Sequence, residues 1–174
     1  MPLPDVDFSL RSGEAFNAIS EYAWRIKRHG AIALHEICHS GFTKPSIPGT
    51  EIWGPVAGTS RDGGTILPID EEMMDSICND FVSVALYMQA AGFDGVCIHA
   101  GHGFLFTQFL SPLINTRTDE YGGKSLENRA RFPLRILREI REAVGKDFII
   151  EMRISGYDGI PGGIVIEETT EFIR

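Results

Sequence analysis

The sequence predicts an α/β fold built on a parallel sheet, from three features of its pattern. Helical and extended patterns alternate along the chain. The extended runs are short, apolar and bounded by glycine, as buried strands are. Each of these runs is followed by a segment loaded with His, Arg, Asp or Gly. In parallel α/β proteins the site lies at those carboxyl ends of the strands.

Residues 13–29 read as the first helix. Ala15, Phe16, Ile19, Tyr22, Ala23 and Ile26 recur at helical spacing, and Gly30 suits the position after the last turn. The run AIALHEIC, 31–38, follows as a strand. Residues 40–68 are rich in Gly, Pro, Ser and Thr and read as a long loop, a length that usually marks function in a compact domain. Asp70 can cap a second helix over 70–91, with Glu71 and Glu72 in its first turn. Met74, Ile77, Phe81, Val84, Ala85 and Met88 form its apolar stripe, and Gly92 ends it.

A second strand covers 94–99, within FDGVCIH, and a second long polar loop runs from about 100 to 124. The third helix covers 125–144, with Phe132, Ile136, Leu137, Ile140 and Val144 toward the core and Gly145 closing it. Pro133 lies inside this pattern and should kink the helix or mark its real start. The third strand, 147–154, lies in FIIEMRIS, and IEETTEFIR at 166–174 has the look of the first turns of a further helix. This order implies parallel strands joined by right-handed crossovers. No repeat, low-complexity tract or linker divides the chain, so residues 1–174 read as one domain.

A chain of 174 residues can bury a sizeable core, and its 43% apolar and 23% charged content is globular. The net charge of −8 disfavours nucleic acid or an anionic membrane as the partner. No apolar run is long enough to span a bilayer, and the opening MPLPDVDFSLRSGE lacks the order of a signal peptide. The three cysteines, Cys38, Cys78 and Cys97, are odd in number and widely spaced, with no C-x-x-C. A reduced, cytoplasmic setting is the expectation.

His35, Glu36 and His39 spell H-E-x-x-H, the pattern of zinc peptidases. That chemistry needs both histidines on one helical face with the glutamate beside the bound water. Only four residues separate Gly30 from His35, and Gly41 follows soon after, leaving no room for such a helix. In a strand Glu36 points away from the face of His35 and His39. A zinc hydrolase is therefore the disfavoured alternative. The absence of G-x-G-x-x-G or a phosphate loop also argues against a free-standing nucleotide-binding domain.

A more specific signal lies at 92–132: GFDGV-IH, QFLSP-N-RTDEYGG and SLENRARF, supported by H-SG at 39–41 and RIS at 153–155. These elements resemble the Old Yellow Enzyme family of flavin-dependent oxidoreductases, in particular its bacterial enoate and dienoyl-CoA reductase branch. The resemblance covers the chain from about residue 14 onward. It implies a partial TIM (β/α)8 barrel whose three strands correspond to barrel strands three to five. It also implies FMN at the carboxyl ends of the strands, NAD(P)H as reductant and a small unsaturated carbonyl compound as substrate. His99 and His102 match the pair that donates hydrogen bonds to the substrate carbonyl oxygen, where charge builds as hydride arrives. Arg153 matches the arginine near the flavin pyrimidine ring, where a cation favours the anionic reduced form. Asp119, Tyr121 and Arg129 match a stretch expected to hold the loop after the second strand, and Ser125 a helix start.

Three positions depart from the family pattern. Glu36 stands where a flavin-bonding glutamine is usual; a carboxylate cannot donate, and pairing with Arg153 is the expected compensation. Phe104 replaces a tyrosine that protonates the α-carbon, and a phenyl ring has no proton to give. Phe42 replaces an arginine. The cysteines show no iron–sulfur spacing.

Strand alternation assigns the barrel-facing side chains as Leu34, Glu36 and Cys38, then Gly95, Cys97 and His99, then Ile149, Glu151 and Arg153. Of these, Leu34, Gly95, Cys97 and Ile149 read as core packing. Three strands cannot close a barrel, and the usual phosphate site comes from later loops. The expectation is therefore a piece of a larger reductase, inactive and poor at holding FMN by itself. A non-catalytic half-barrel that self-associates or needs a partner chain is the alternative.

Overall fold

The computed structural model describes residues 13–174. The first helix, α1, spans Gly13–Lys27. It buries Ala15 and Ala23, whereas Tyr22, expected on the apolar face, is exposed. Three further helices flank or follow the sheet: α2 at Glu71–Ala90, α4 at Leu126–Val144 and α5 at Ile166–Ile173, with the short α3 at Leu105–Leu110 between them. The main sheet has the order β1 (Leu34–Ile37), β5 (Gly95–Ala100), β6 (Ile149–Ile154), all parallel. Parallel neighbours separated by α2 and by α4 make this a sector of a β/α barrel.

Local chemistry sets the helix boundaries. The Asp70 carboxylate accepts from the Met73 amide at 2.8 Å, and the Ser125 hydroxyl accepts from the Asn128 amide at 3.4 Å. These bonds satisfy donors that a helix start leaves open. Helix α4 begins at Leu126 and continues through the buried Pro133, so the proline does not mark its start.

The core lies between the outer face of the sheet and the helices. Val96, Ile98 and Ala100 of β5 are fully buried against Met74, Phe81, Met88, Phe132 and Ile140. On β6, Ile150, Met152 and Ile154 pack against this cluster, while Ile149, Glu151 and Arg153 alternate onto the opposite, exposed face. The reading of Leu34, Cys97 and Ile149 as core packing needs correction. Ile149 is 38% exposed and Leu34 and Cys97 are only partly buried, because among the described residues nothing covers that face; Gly95 alone is buried.

Both expected loops contain ordered elements. A 3-10 turn at Gly41–Thr43 precedes a small second sheet of β2 (Glu51–Gly54), β3 (Gly58–Thr59) and β4 (Thr65–Pro68). In it β2 and β4 are parallel and β3 is antiparallel to β4. The buried Ile52 and Ile66 anchor it. The second loop folds into α3, all six of whose residues are buried. A helix that is buried all round has no periodic stripe to read. No helix among the described residues is long and apolar enough to cross a membrane.

Candidate functional site

Glu36, His99 and Arg153 come from three adjacent strands and meet at their carboxyl ends. In register, Glu36 faces Cys97 and His99 faces Arg153. The Glu36 side chain reaches past Cys97 to His99, with Oε1 2.5 Å from Nδ1. The same oxygen lies 3.5 Å from Nη1 of Arg153, the expected carboxylate–guanidinium pairing. His99 is 7% exposed, whereas Glu36 and Arg153 open to solvent.

His102 follows on the loop after β5, with left-handed backbone at φ 55°. Its amide donates to the Ser155 hydroxyl at 3.2 Å, tying this loop to the end of β6. Its Nδ1 lies 3.1 Å from His99 Nε2, and the two rings stack with centroids 5.0 Å apart. Phe104 packs its ring on the other contact of His99, at 4.9 Å between centroids. The expected pair is therefore assembled, and Phe104 occupies its flank with no acidic proton.

The hydrogen bond from His99 holds the Glu36 carboxyl below the usual carboxylate range, and the charges of His99 and Arg153 act in the same direction against a desolvation cost. Glu36 thus stays ionised at neutral pH. Burial pushes the Cys97 and Cys38 thiols up, and nearby carboxylates push them further, so neither is poised as a thiolate.

The zinc pattern does not form a site. Residues 34–37 are a strand, and His35 packs edge-on against Phe93 at 5.5 Å between centroids. Glu36 is engaged by His99, and Nδ1 of His39 accepts from the Gly41 amide at 3.1 Å. Among the described residues no three His, Cys, Asp or Glu side chains are grouped to hold a metal.

The structure shows loop-holding residues that sequence reading missed. Gln108 is fully buried in α3; its Oε1 accepts from the Phe42 amide, and its Nε2 donates to the carbonyls of Ser40 and Gly103. One side chain thus fastens the loop after β1 to the loop after β5. Arg117 donates to the Pro55 and Ile69 carbonyls, joining the small sheet to the second loop. The available signal is a polar residue embedded in an apolar run, FLFTQFL, which requires internal partners. Asp119, Tyr121 and Arg129 have such partners: Asp119 pairs with Arg117, Tyr121 donates to Glu71 at 3.3 Å, and the buried Arg129 bonds the Leu110 carbonyl and Glu168.

The site was also tested for its fit to a flavin ring, whose edge carries carbonyl acceptors and an imide N–H. Arg153 has guanidinium donors beyond its one long contact to Glu36, and these fit a carbonyl edge. Glu36 fits only an N–H, since its carboxylate accepts and does not donate.

Comparison with known proteins agrees with this geometry. The model of the NADH:flavin oxidoreductase / NADH oxidase family matches residues 26–174. The NADH oxidase of Thermoanaerobacter brockii is 40% identical over 164 residues, which is 88% of this chain and 24% of that protein. The structure of 2-naphthoyl-CoA reductase with 2-naphthoyl-CoA superposes at TM-score 0.83 and 31% identity, covering 94% of this chain and 27% of that one. The old yellow enzyme homologue from Zymomonas mobilis superposes at TM-score 0.76 and 25% identity, covering 94% and 49%. The chain thus spans about a quarter to a half of the length of these relatives. With a matched region that includes β1, β5 and β6 and every residue of the His99–Glu36–Arg153 cluster, the chain belongs to the NADH:flavin oxidoreductase family, as a sector of its β/α barrel.

Proposed function

We propose that this chain is a sector of an FMN-dependent, NAD(P)H-consuming oxidoreductase that reduces activated C=C bonds. The substrate class is an α,β-unsaturated carbonyl compound, an enoate or a dienoyl thioester. The observation that carries the reading is the convergence of His99, His102, Glu36 and Arg153 at the carboxyl ends of three parallel strands. Ligand sites of such sheets lie there.

When bound, the flavin would supply hydride. Arg153 would hold a carbonyl oxygen of its pyrimidine edge, and Glu36 would accept from an imide N–H. His99 and His102 would face the substrate carbonyl oxygen, where imidazole N–H groups stabilise developing negative charge. The phenyl ring of Phe104 lines the flank of His99 and excludes water without donating a proton.

The test places residues 26–174 into the corresponding sector of a full-length relative and follows NAD(P)H oxidation by cyclohexenone. The chimera is expected to turn over. Its His99→Ala and His102→Ala variants should each lose about 10²-fold in kcat, the cost of one oxyanion donor. A folded, flavin-loaded chimera indifferent to both substitutions would overturn the proposal.

A second reading follows from the exposed sheet face: a non-catalytic half-barrel that acts only after self-association or with a partner chain. Exposure of Ile149 and of the Glu36–Arg153 edge favours it. An inactive chimera combined with a defined assembly of the chain in solution would select it.

A further inference from the structure

Three side chains at the site form a directed chain of hydrogen bonds. Glu36 Oε1 lies 2.5 Å from His99 Nδ1, and His99 Nε2 lies 3.1 Å from His102 Nδ1. Glu36 is ionised, since its carboxyl is held below the usual range mainly by the bond from His99. An ionised carboxylate only accepts, so His99 must carry its proton on Nδ1. In the neutral ring Nε2 then has a lone pair and no proton. The short contact to His102 requires a donor, so His102 must carry its own proton on Nδ1. Both nitrogens of the buried His99 are thereby used, and the exposed His102 keeps Nε2 with no protein partner among the described residues.

We propose that Glu36 is a positioning residue: it fixes the tautomers of His99 and His102 in series and leaves His102 Nε2 as the outward-facing, ligand-contacting nitrogen of the chain. A glutamine at this position could donate as well as accept and would set no direction. The inference rests on the carbonyl-reductase reading only for the identity of the ligand. Its consequence there is specific. With the chain neutral, the outward nitrogen is an acceptor and cannot hold a carbonyl oxygen. One added proton on His102 Nε2 turns it into a donor, and the resulting cation is backed through His99 to the Glu36 carboxylate, as in other carboxylate–imidazole relays. The exposed His102 takes that proton from solvent. Other groups facing the chain are Arg153 from β6, which shares Glu36 Oε1, and the thiols of Cys38 and Cys97; Phe104 and Ser155 add no charge.

The test reads tautomers directly, by long-range 1H–15N correlation on the 15N-labelled full chain without cofactor or substrate. The two rings are assigned with His99→Gln and His102→Ala variants. In the native chain at neutral pH both rings are expected to show protonated Nδ1, with His102 Nε2 unprotonated. Glu36→Ala should release His99 toward the Nε2–H form that imidazole ordinarily prefers. His102→Ala should leave His99 on Nδ1–H, because the lock comes from Glu36; this arm stands even if Glu36→Ala fails to fold. A native His99 on Nε2–H, or a His99 released by loss of His102, would overturn the relay. Because no flavin or substrate is present, failure here is separate from failure of the chimera to turn over.

Discussion

His39 illustrates how one residue can be misread from its pattern and still carry a measurable property. Its ring is partly buried, and burial lowers its pKa below the ordinary 6.5. Nδ1 accepts from the Gly41 amide, which only the unprotonated nitrogen can do. The unfolded ring therefore binds a proton before the folded one as pH falls. This contribution to stability is complete above about pH 6.5 and is lost as pH falls from there toward the folded value. His35, also lowered by burial, adds to the same window. The depressed carboxyls of Glu36, Asp94 and Asp119 act lower, their contributions being complete above their ordinary values of 4.5, 3.8 and 3.8 and lost below them. A His39→Asn variant keeps an acceptor near the Nδ1 position and does not titrate. Urea unfolding between pH 7 and 5.5 should show a flatter pH dependence for it than for the native chain. An unchanged slope would remove His39 as the cause. The sequence alone shows His39 near a glycine; the Gly41 bond depends on the left-handed φ of 57° at that glycine, which no spacing rule reveals.

At the scale of elements, the three main strands and the long helices were legible because each carries one period. Alternation on β6 separates Ile150, Met152 and Ile154 from Ile149, Glu151 and Arg153, and the α2 stripe buries Met74, Ile77, Phe81, Ala85 and Met88. The small sheet was not legible, since its strands are at most four residues long and are set among Gly, Pro and Ser. Nor was α3, whose polar Gln108 faces inward to bond two loops. The relation between strands is also invisible in one strand's pattern, and Gly95 shows its cost. A Cβ there would lie 2.3 Å from the Ile149 carbonyl oxygen, and backbone cannot rotate aside. Gly95→Ala should therefore destabilise the chain by about 1–3 kcal/mol, the range for overpacked cores, through separation of β5 from β6. Equilibrium denaturation measures the loss, and hydrogen exchange should place it at the amides of 149–154. A neutral Gly95→Ala would mean the two strands can shift apart at no cost.

For the molecule as a whole, the decisive feature is a sheet with one covered and one open face. Helices α2 and α4 seal the outer side, whereas Leu34, Ile149 and the charged row of Glu36, Glu151 and Arg153 remain accessible on the inner side. Outside the sheet, a groove of about 690 Å³ between α4, β6 and α5 adds Leu134, Leu137 and Ile173 to the accessible apolar surface. A flavin placed on the open face would meet Arg153 and Glu36 on one edge and protein on one side only, and affinity for a drug-sized ring comes from burying most of its surface. Accessible apolar residues beside unpaired strand edges favour association instead. The purified 19.3 kDa chain is therefore expected to elute from gel filtration without flavin and above its monomer mass. Ile149→Lys, which places a charge at the centre of the open face, should shift it toward monomer without unfolding it, since that side chain is already 38% exposed. A yellow, monomeric native chain would show that three strands suffice to enclose the ring, and a colourless native monomer would show that the open face tolerates water unaided; either result removes the case for a covering surface.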